Sequence, residues 1–445
     1  VIPGLRHLPS LRAAWDGVST SFWFLPLLMS AAGAVLALLA PFLDAIASPL
    51  AYTATRTDAL QLLGMILTSM ITMASLVFSL TLVALTLAAS QFGPRLIRTY
   101  MARRQTQFIL GTYALTIVFC LLLIARIGRM PDDAVVAPAS LPLAIGLTLL
   151  SVLLLILHTH TLARSMLSET IIDLEGAELE AGIASLGPFD DTSAEDPQAL
   201  LPPDFDRDAH RTGVPRQGYV QAIDFAALVK AAQEADVLIA FRFRPGDYLI
   251  AHGREIALHP AHLVTPALED AVARTFALGP HRTPVQDPAF SIRHLVEIGA
   301  RALSRGVNDP FTAVAVIDRL SGSLARLMTA RLPPGVFRDD GGSVRVLCGR
   351  PTWASLLGGA FDQLRQDGAD KPLVAIHLAE AMARVAETAR TTDQTRALRQ
   401  ELRLLTDAAE RRIADAHDRA AVTSRVATAT EALDAADRAI RDGCR

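Results

Sequence analysis

Two groups of polar side chains are spaced so that they could do chemistry. The first lies in LQLLGMILTSMITMASLVFSLTLVALTLAAS, residues 60–90, a stretch without a charged side chain. Thr68, Thr72, Ser75, Ser79, Thr86 and Ser90 follow one another at helical spacing, so on a helix their hydroxyls share one face. Leu82 and Val83 interrupt the row. Such a row has two uses. It bonds back to its own carbonyls and to neighbouring helices, or it lines a water-filled path in which an apolar pair forms a constriction that gates by dewetting.

The second group is Arg282, Gln286, Asp287, Glu297, Arg301, Ser304, Asn308, Asp309, Thr312 and Asp318. His294 lies three residues before Glu297, and Arg301 four after it, so each pair meets on a helix surface as an ion pair or a pair of metal ligands. Between the two helices, SRGVNDPFTA offers Gly306 as a helix stop, Asn308 or Asp309 as an N-cap and Pro310 for a first turn. Caps and ion pairs that fix a helix corner are the ordinary reading of this set; a ligand site or a subunit contact is the other. The chain has no nucleophile elbow, P-loop, H-E-x-x-H or dinucleotide fingerprint, so no catalytic residue is assigned and an enzyme is not expected. Cys120, Cys348 and Cys444 have no metal-ligand spacing, and no metal or cofactor is expected.

The elements that carry these groups follow from hydropathy. Half of the 445 residues are hydrophobic, and the apolar excess falls in the first 165. That divides the chain into a part in lipid and a part in water. A transmembrane domain over 1–168 is expected to hold spans at about 22–46, 60–90, 108–127 and 141–163, the second long enough at about 1.5 Å per residue to cross a hydrocarbon core of about 30 Å. Arg95, Arg98, Arg103 and Arg104 make the most cationic loop of this half, which places it inside and both termini in the cytoplasm. The same arginines form a cationic vestibule that favours an anion or other small ion. His158 and His160 point about 200° apart on a helix and read as interfacial histidines. A formal net charge of -3 gives no argument for nucleic acid.

Residues 169–212 read as a helical connector and an acidic linker. Short strands around the RPGD turn suggest a small β half-barrel over 213–262, followed by a helical domain over 263–390 and amphipathic helices over 391–445. The expected fold class is membrane α-helical with four transmembrane helices, plus a cytoplasmic α+β domain with that half-barrel and a helical C-terminal region.

HRTPVQDPAFSIRHLVEIGARALSRGVNDPFTAVAVIDRL and SLTLVALTLAASQFGPRLIRTYMARRQTQFILGTY resemble the domain-of-unknown-function 2254 family of predicted bacterial membrane proteins. The resemblance runs from the first span to about residue 390. It implies an integral inner-membrane protein with a cytoplasmic C-terminal domain and assigns no activity. From the residues themselves, two functional readings stand. One is a homo-oligomeric inner-membrane channel or transport-like protein, in which the second span lines the path, the cytoplasmic domain assembles or regulates it, and the partners are the lipid bilayer and further copies. The other is a non-conducting, membrane-anchored sensor or scaffold whose cytoplasmic domain binds a partner or small ligand.

Overall fold

The computed structural model describes residues 23–46, 54–92, 104–131, 135–136, 139–165, 168–186, 195–284 and 286–443. They belong to two units, Val1–Leu167 and Ser168–Arg445. The first holds helices α1 (Phe24–Ile46), α2 (Arg56–Phe92), α3 (Arg104–Ile127) and α4 (Ser140–Ser165). All four are long and apolar enough to cross a membrane. In hydrocarbon a helix satisfies every backbone group within itself, which is why uncharged runs of this length fold this way.

The packing centre of this unit is α3, which touches α1, α2 and α4 and buries Ile109, Tyr113, Phe119, Cys120 and Leu123. Gly33 of α1 lies close against the α3 backbone: a Cβ there would stand 2.5 Å from the Leu115 carbonyl oxygen. Small residues at such crossings let backbones meet. One end of the bundle is closed by charge. Asp44 accepts the backbone N–H groups of Ala139 and Ser140 and the Ser140 hydroxyl, capping α4. Arg56 donates to the carbonyls of Ile127 and Gly128, where the negative end of the α3 dipole lies. Strands β1 (Ala54–Thr55) and β2 (Val135–Val136) pair antiparallel at that end.

In the second unit, α5 (Ser168–Ala184) is followed by the one-turn helix α6 (Phe205–Asp208), β3 (His210–Thr212), β4 (Gly218–Ile223) and α7 (Phe225–Glu234). Then come β5 (Leu238–Phe241), β6 (Tyr248–Leu249), β7 (Ile256–His259), α8 (Pro266–Arg274) and β8 (Phe276–Gly279). Helices α9 (Pro288–Ala302) and α10 (Pro310–Met328) precede β9 (Val336–Arg338) and β10 (Val344–Leu347). The chain continues through α11 (Trp353–Gly368), α12 (Pro372–Ala386), α13 (Thr392–Arg412) and α14 (Ala416–Arg441).

The strands expected to form a half-barrel over 213–262 are divided between two sheets, and each sheet takes strands from outside that range. One has the order β3-β7-β5-β10-β9, the other β6-β4-β8. Strand β10 joins β5 in parallel, about a hundred residues along the chain, a pairing that no local turn announces. Leu228 and Ala232 of α7 and Leu268 and Val272 of α8 share a core with Val220, Ile239, Phe241, Leu258 and Val346. In the helical part, α5 packs on α9 and α10, α11 on α9 and α13, and α12 on α10 and α14. Residues 392–441 form two helices: the break falls at Ile413–Asp415, where Asp415 accepts the N–H groups of His417 and Asp418 and starts α14.

Candidate functional site

The hydroxyl row of α2 turns away from the chain's own helices. Thr68, Thr72, Ser75, Ser79 and Thr86 are exposed, as are Leu82 and Val83, which leave 47% and 55% of their surface uncovered. The buried face carries Leu63, Met70, Val77, Thr81 and Ala84 instead. Thr68, Thr72 and Thr86 donate to the carbonyls four residues back, those of Gly64, Thr68 and Leu82. Ser75 and Ser79 have no hydrogen-bond partner among the described residues. On α2, a hydroxyl outside this row joins two helices: Thr81 donates to the Val77 carbonyl and lies 3.1 Å from Nε2 of His158 on α4. His158 is therefore a buried helix-to-helix contact. The side chain of Ser90, and Arg95, Arg98 and Arg103 of the vestibule, lie outside the described residues; Arg104 is exposed at the first position of α3.

The second polar set separates into three structures. Arg282, Gln286 and Asp287 form a clasp on β4. Gln286 accepts from the N–H of Ile223 through Oε1 and donates to its carbonyl through Nε2, while Arg282 reaches Asp287 Oδ2 at 2.5 Å from Nη2 and 3.1 Å from Nε. Asp287 is 4% exposed, and burial raises its carboxyl above the ordinary range against the opposing Arg282 hydrogen bond. The clasp needs Gly246 at the RPGD turn, because φ there is +95° and a Cβ would stand 2.1 Å from Asp287 Oδ2. Asp309 caps α10, accepting the Thr312 N–H and hydroxyl, and the Thr312 hydroxyl bond holds its carboxyl below the usual range. Asn308 supplies the corner instead, at φ 49°, a left-handed conformation Asn tolerates. Asp318 is bound by Arg384 of α12 at 2.5 Å.

Arg301 and Asn308 are exposed, and Glu297 is partly exposed, so the set does not converge on one pocket. His294 meets Glu175 of α5 at 3.0 Å, with the Glu175 side chain 2% exposed. Glu175 is a residue that sequence spacing missed. Its neighbour Gly176 makes room for the Arg319 side chain, whose guanidinium pairs with Glu180.

Among the described residues, two cavities of the second unit stand out. The larger, about 1070 Å³, is lined by Arg211, Arg242, Arg254 and Arg350 together with Asp247 and Glu255. Arg242 and Arg254 are exposed and have no ion-pair partner among the described residues. The alternation FRFRPGD, with Phe241 and Phe243 buried and Arg242 outward, was the available signal for this wall. The smaller cavity, about 360 Å³, is lined in part by Arg244, Gln286, Asp287 and Arg331. Cys348 borders both, and burial pushes its thiol up to about 12, which makes it an unreactive packing residue.

Four apolar spans joined to a mixed α/β region that carries the clasp match a known family model over residues 19–384, described as predicted membrane protein, domain of unknown function 2254. The chain belongs to this DUF2254 family. Uncharacterized proteins of Mycobacterium bovis and Mycobacterium tuberculosis are each 30% identical to it over 438 residues, covering 95% of this chain and 82% of the relative. No solved structure matches. The DUF2254 match takes in both the α2 hydroxyl face and the clasp and ends within α12, so α13 and α14 lie beyond it.

Proposed function

We propose that this DUF2254 protein is a homo-oligomeric channel or transport-like protein of the bacterial inner membrane, with both termini in the cytoplasm. The Thr68–Thr86 face of α2 meets its equivalents in other copies around an ion path, and the second unit assembles or regulates it. One observation carries this reading: the face is exposed along its described length, and two of its hydroxyls, Ser75 and Ser79, have no hydrogen-bond partner among the described residues. A hydroxyl facing hydrocarbon forgoes a hydrogen bond that water or a second copy supplies. From Thr68 to Thr86 the face spans about 27 Å at 1.5 Å per residue, close to the roughly 30 Å of a hydrocarbon core. Leu82 and Val83 then form the apolar constriction, and the arginines from Arg95 to Arg104 favour anions at the inner mouth.

The test is subunit counting and imaging in nanodiscs, joined to chloride efflux from liposomes. Several copies with Ser75 and Ser79 around a central axis, and efflux that changes on Thr72→Val and Ser79→Ala, are expected. A monomer, or an oligomer with this face toward lipid, refutes the reading.

The second reading, a membrane-anchored sensor, is favoured by the larger cavity, where Arg242 and Arg254 have no ion-pair partner among the described residues. It predicts an anionic small ligand whose binding is lost in Arg242→Ala and Arg254→Ala and unaltered by Ser79→Ala.

A further inference from the structure

We propose that Asp204, Asp208 and His259 form a binding site for one divalent transition-metal cation, of the Mn²⁺ or Zn²⁺ class. One ligand atom from each lies within 4.8 Å of the other two. With metal–ligand distances of about 2.0 to 2.3 Å, atoms around one ion stand roughly 3 to 4.5 Å apart, so the three groups need little movement to close on it.

Local structure places them. Asp204 precedes α6, and the Asp208 N–H bonds to the Asp204 carbonyl at 3.0 Å. Four residues apart on one turn, the two carboxylates leave the same side of the helix. His259 ends β7, and its ring lies against that of Phe205, with centroids 5.7 Å apart. Phe205 is itself buried with Ala240, Ala257 and Leu347, so the turn that bears the carboxylates is fastened to the sheet that bears the histidine.

The independent observation is the imidazole itself. Nε2 of His259 is buried and makes no hydrogen bond. Asp204 Oδ1 stands 3.4 Å from it, within ion-pair range but not aligned as a hydrogen-bond acceptor. A buried ring nitrogen without a partner is uncommon, and a cation would use its lone pair while neutralising the two carboxylates. No arginine or lysine competes: among the described residues neither Asp204 nor Asp208 pairs with one, and Arg211 is bound to the intervening Asp206 at 3.1 Å. Two carboxylates with one imidazole suit a borderline cation better than Mg²⁺, and the absence of thiolate in the set disfavours soft metals. Asp204 is 46% exposed, which leaves remaining coordination positions to water. Phe205 and Asp206 also line the larger cavity, so an ion here would brace one wall of it.

The experiment uses the full chain, purified in detergent and stripped with chelator, then titrated calorimetrically with Mn²⁺ and with Zn²⁺. One ion per chain is expected, with pulsed EPR of the Mn²⁺ form giving coupling to a single imidazole nitrogen. His259→Ala and Asp208→Asn should each weaken binding at least roughly tenfold, and His259→Ala should abolish the nitrogen coupling. His252→Ala, at an exposed histidine, should change neither. Should His259→Ala fail to fold, Asp204→Asn and Asp208→Asn decide the matter. The proposal is overturned if neither ion saturates the native chain, or if binding survives both carboxylate substitutions unchanged.

Discussion

Glu401 is a buried carboxyl whose ionisation opposes folding of the second unit, and replacing it with glutamine should stabilise that unit in a pH-dependent way. It lies on α13, is 5% exposed, and its Oε2 has no hydrogen-bond partner. Burial pushes its carboxyl from the ordinary 4.5 up to about 7; the negative charge of Asp362 adds to this, and Arg365, committed to Asp362 at 2.6 Å, only partly opposes it. A shift of about 2.5 at 1.36 kcal/mol per unit corresponds to about 3 kcal/mol. The folded state holds the proton more tightly than the unfolded one. Below pH 4.5 Glu401 is protonated in both states and carries no penalty, which then grows as pH rises from 4.5 to 7 and is complete above 7. Glutamine is neutral throughout, and its amide can donate toward Asp362. Glu401→Gln should therefore match the native chain near pH 4 and exceed it at pH 8 by up to about 3 kcal/mol, with roughly 2–4 °C in melting temperature per kcal/mol. Thermal unfolding of both chains across pH 4 to 8, with hydrogen exchange read at α13, measures it. A variant no more stable at pH 8, or one whose gain is the same at every pH, refutes the reasoning.

Four further outcomes are expected. Gly246→Ala forces a side chain at φ +95° into Asp287 Oδ2 and should cost about 3 kcal/mol, read as a lower denaturation midpoint. Asp287→Ala leaves the Arg282 guanidinium, 14% exposed, without its carboxylate and should cost about 3–5 kcal/mol; pairing it with Arg282→Met in a double-mutant cycle should recover part of that. Asp309→Ala removes the α10 cap, for a loss of about 1 kcal/mol in stability and no change in ion flux. Val83→Ser should raise basal chloride efflux from liposomes, and an unchanged rate in a folded oligomer counts against a constriction at Leu82 and Val83.

The residues that sequence alone placed well are those whose structure depends on neighbours within about four positions. Apolar runs made four helices long enough to cross a membrane, Pro310 opened α10 with its cap at one of the two positions that the spacing offered, Asp309, and Pro245–Gly246 turned the chain between β5 and β6. Backbone desolvation, missing proline N–H groups and side-chain caps act locally, so the chain states them directly. Helical spacing likewise aligned Thr68 to Thr86 on one face, but whether that face turned inward or outward depended on which surface of α2 packed against α3 and α4. The pairing of Gln286 with Ile223, of His294 with Glu175 and of β10 with β5 joins residues 63 to about 120 positions apart. Long-range burial of the sheet and helix cores decided those pairings. The same packing divided the polar set from Arg282 to Asp318 into a clasp, a cap and an ion pair, and it brought Asp204 and Asp208 to His259, a convergence that no spacing along the chain encodes.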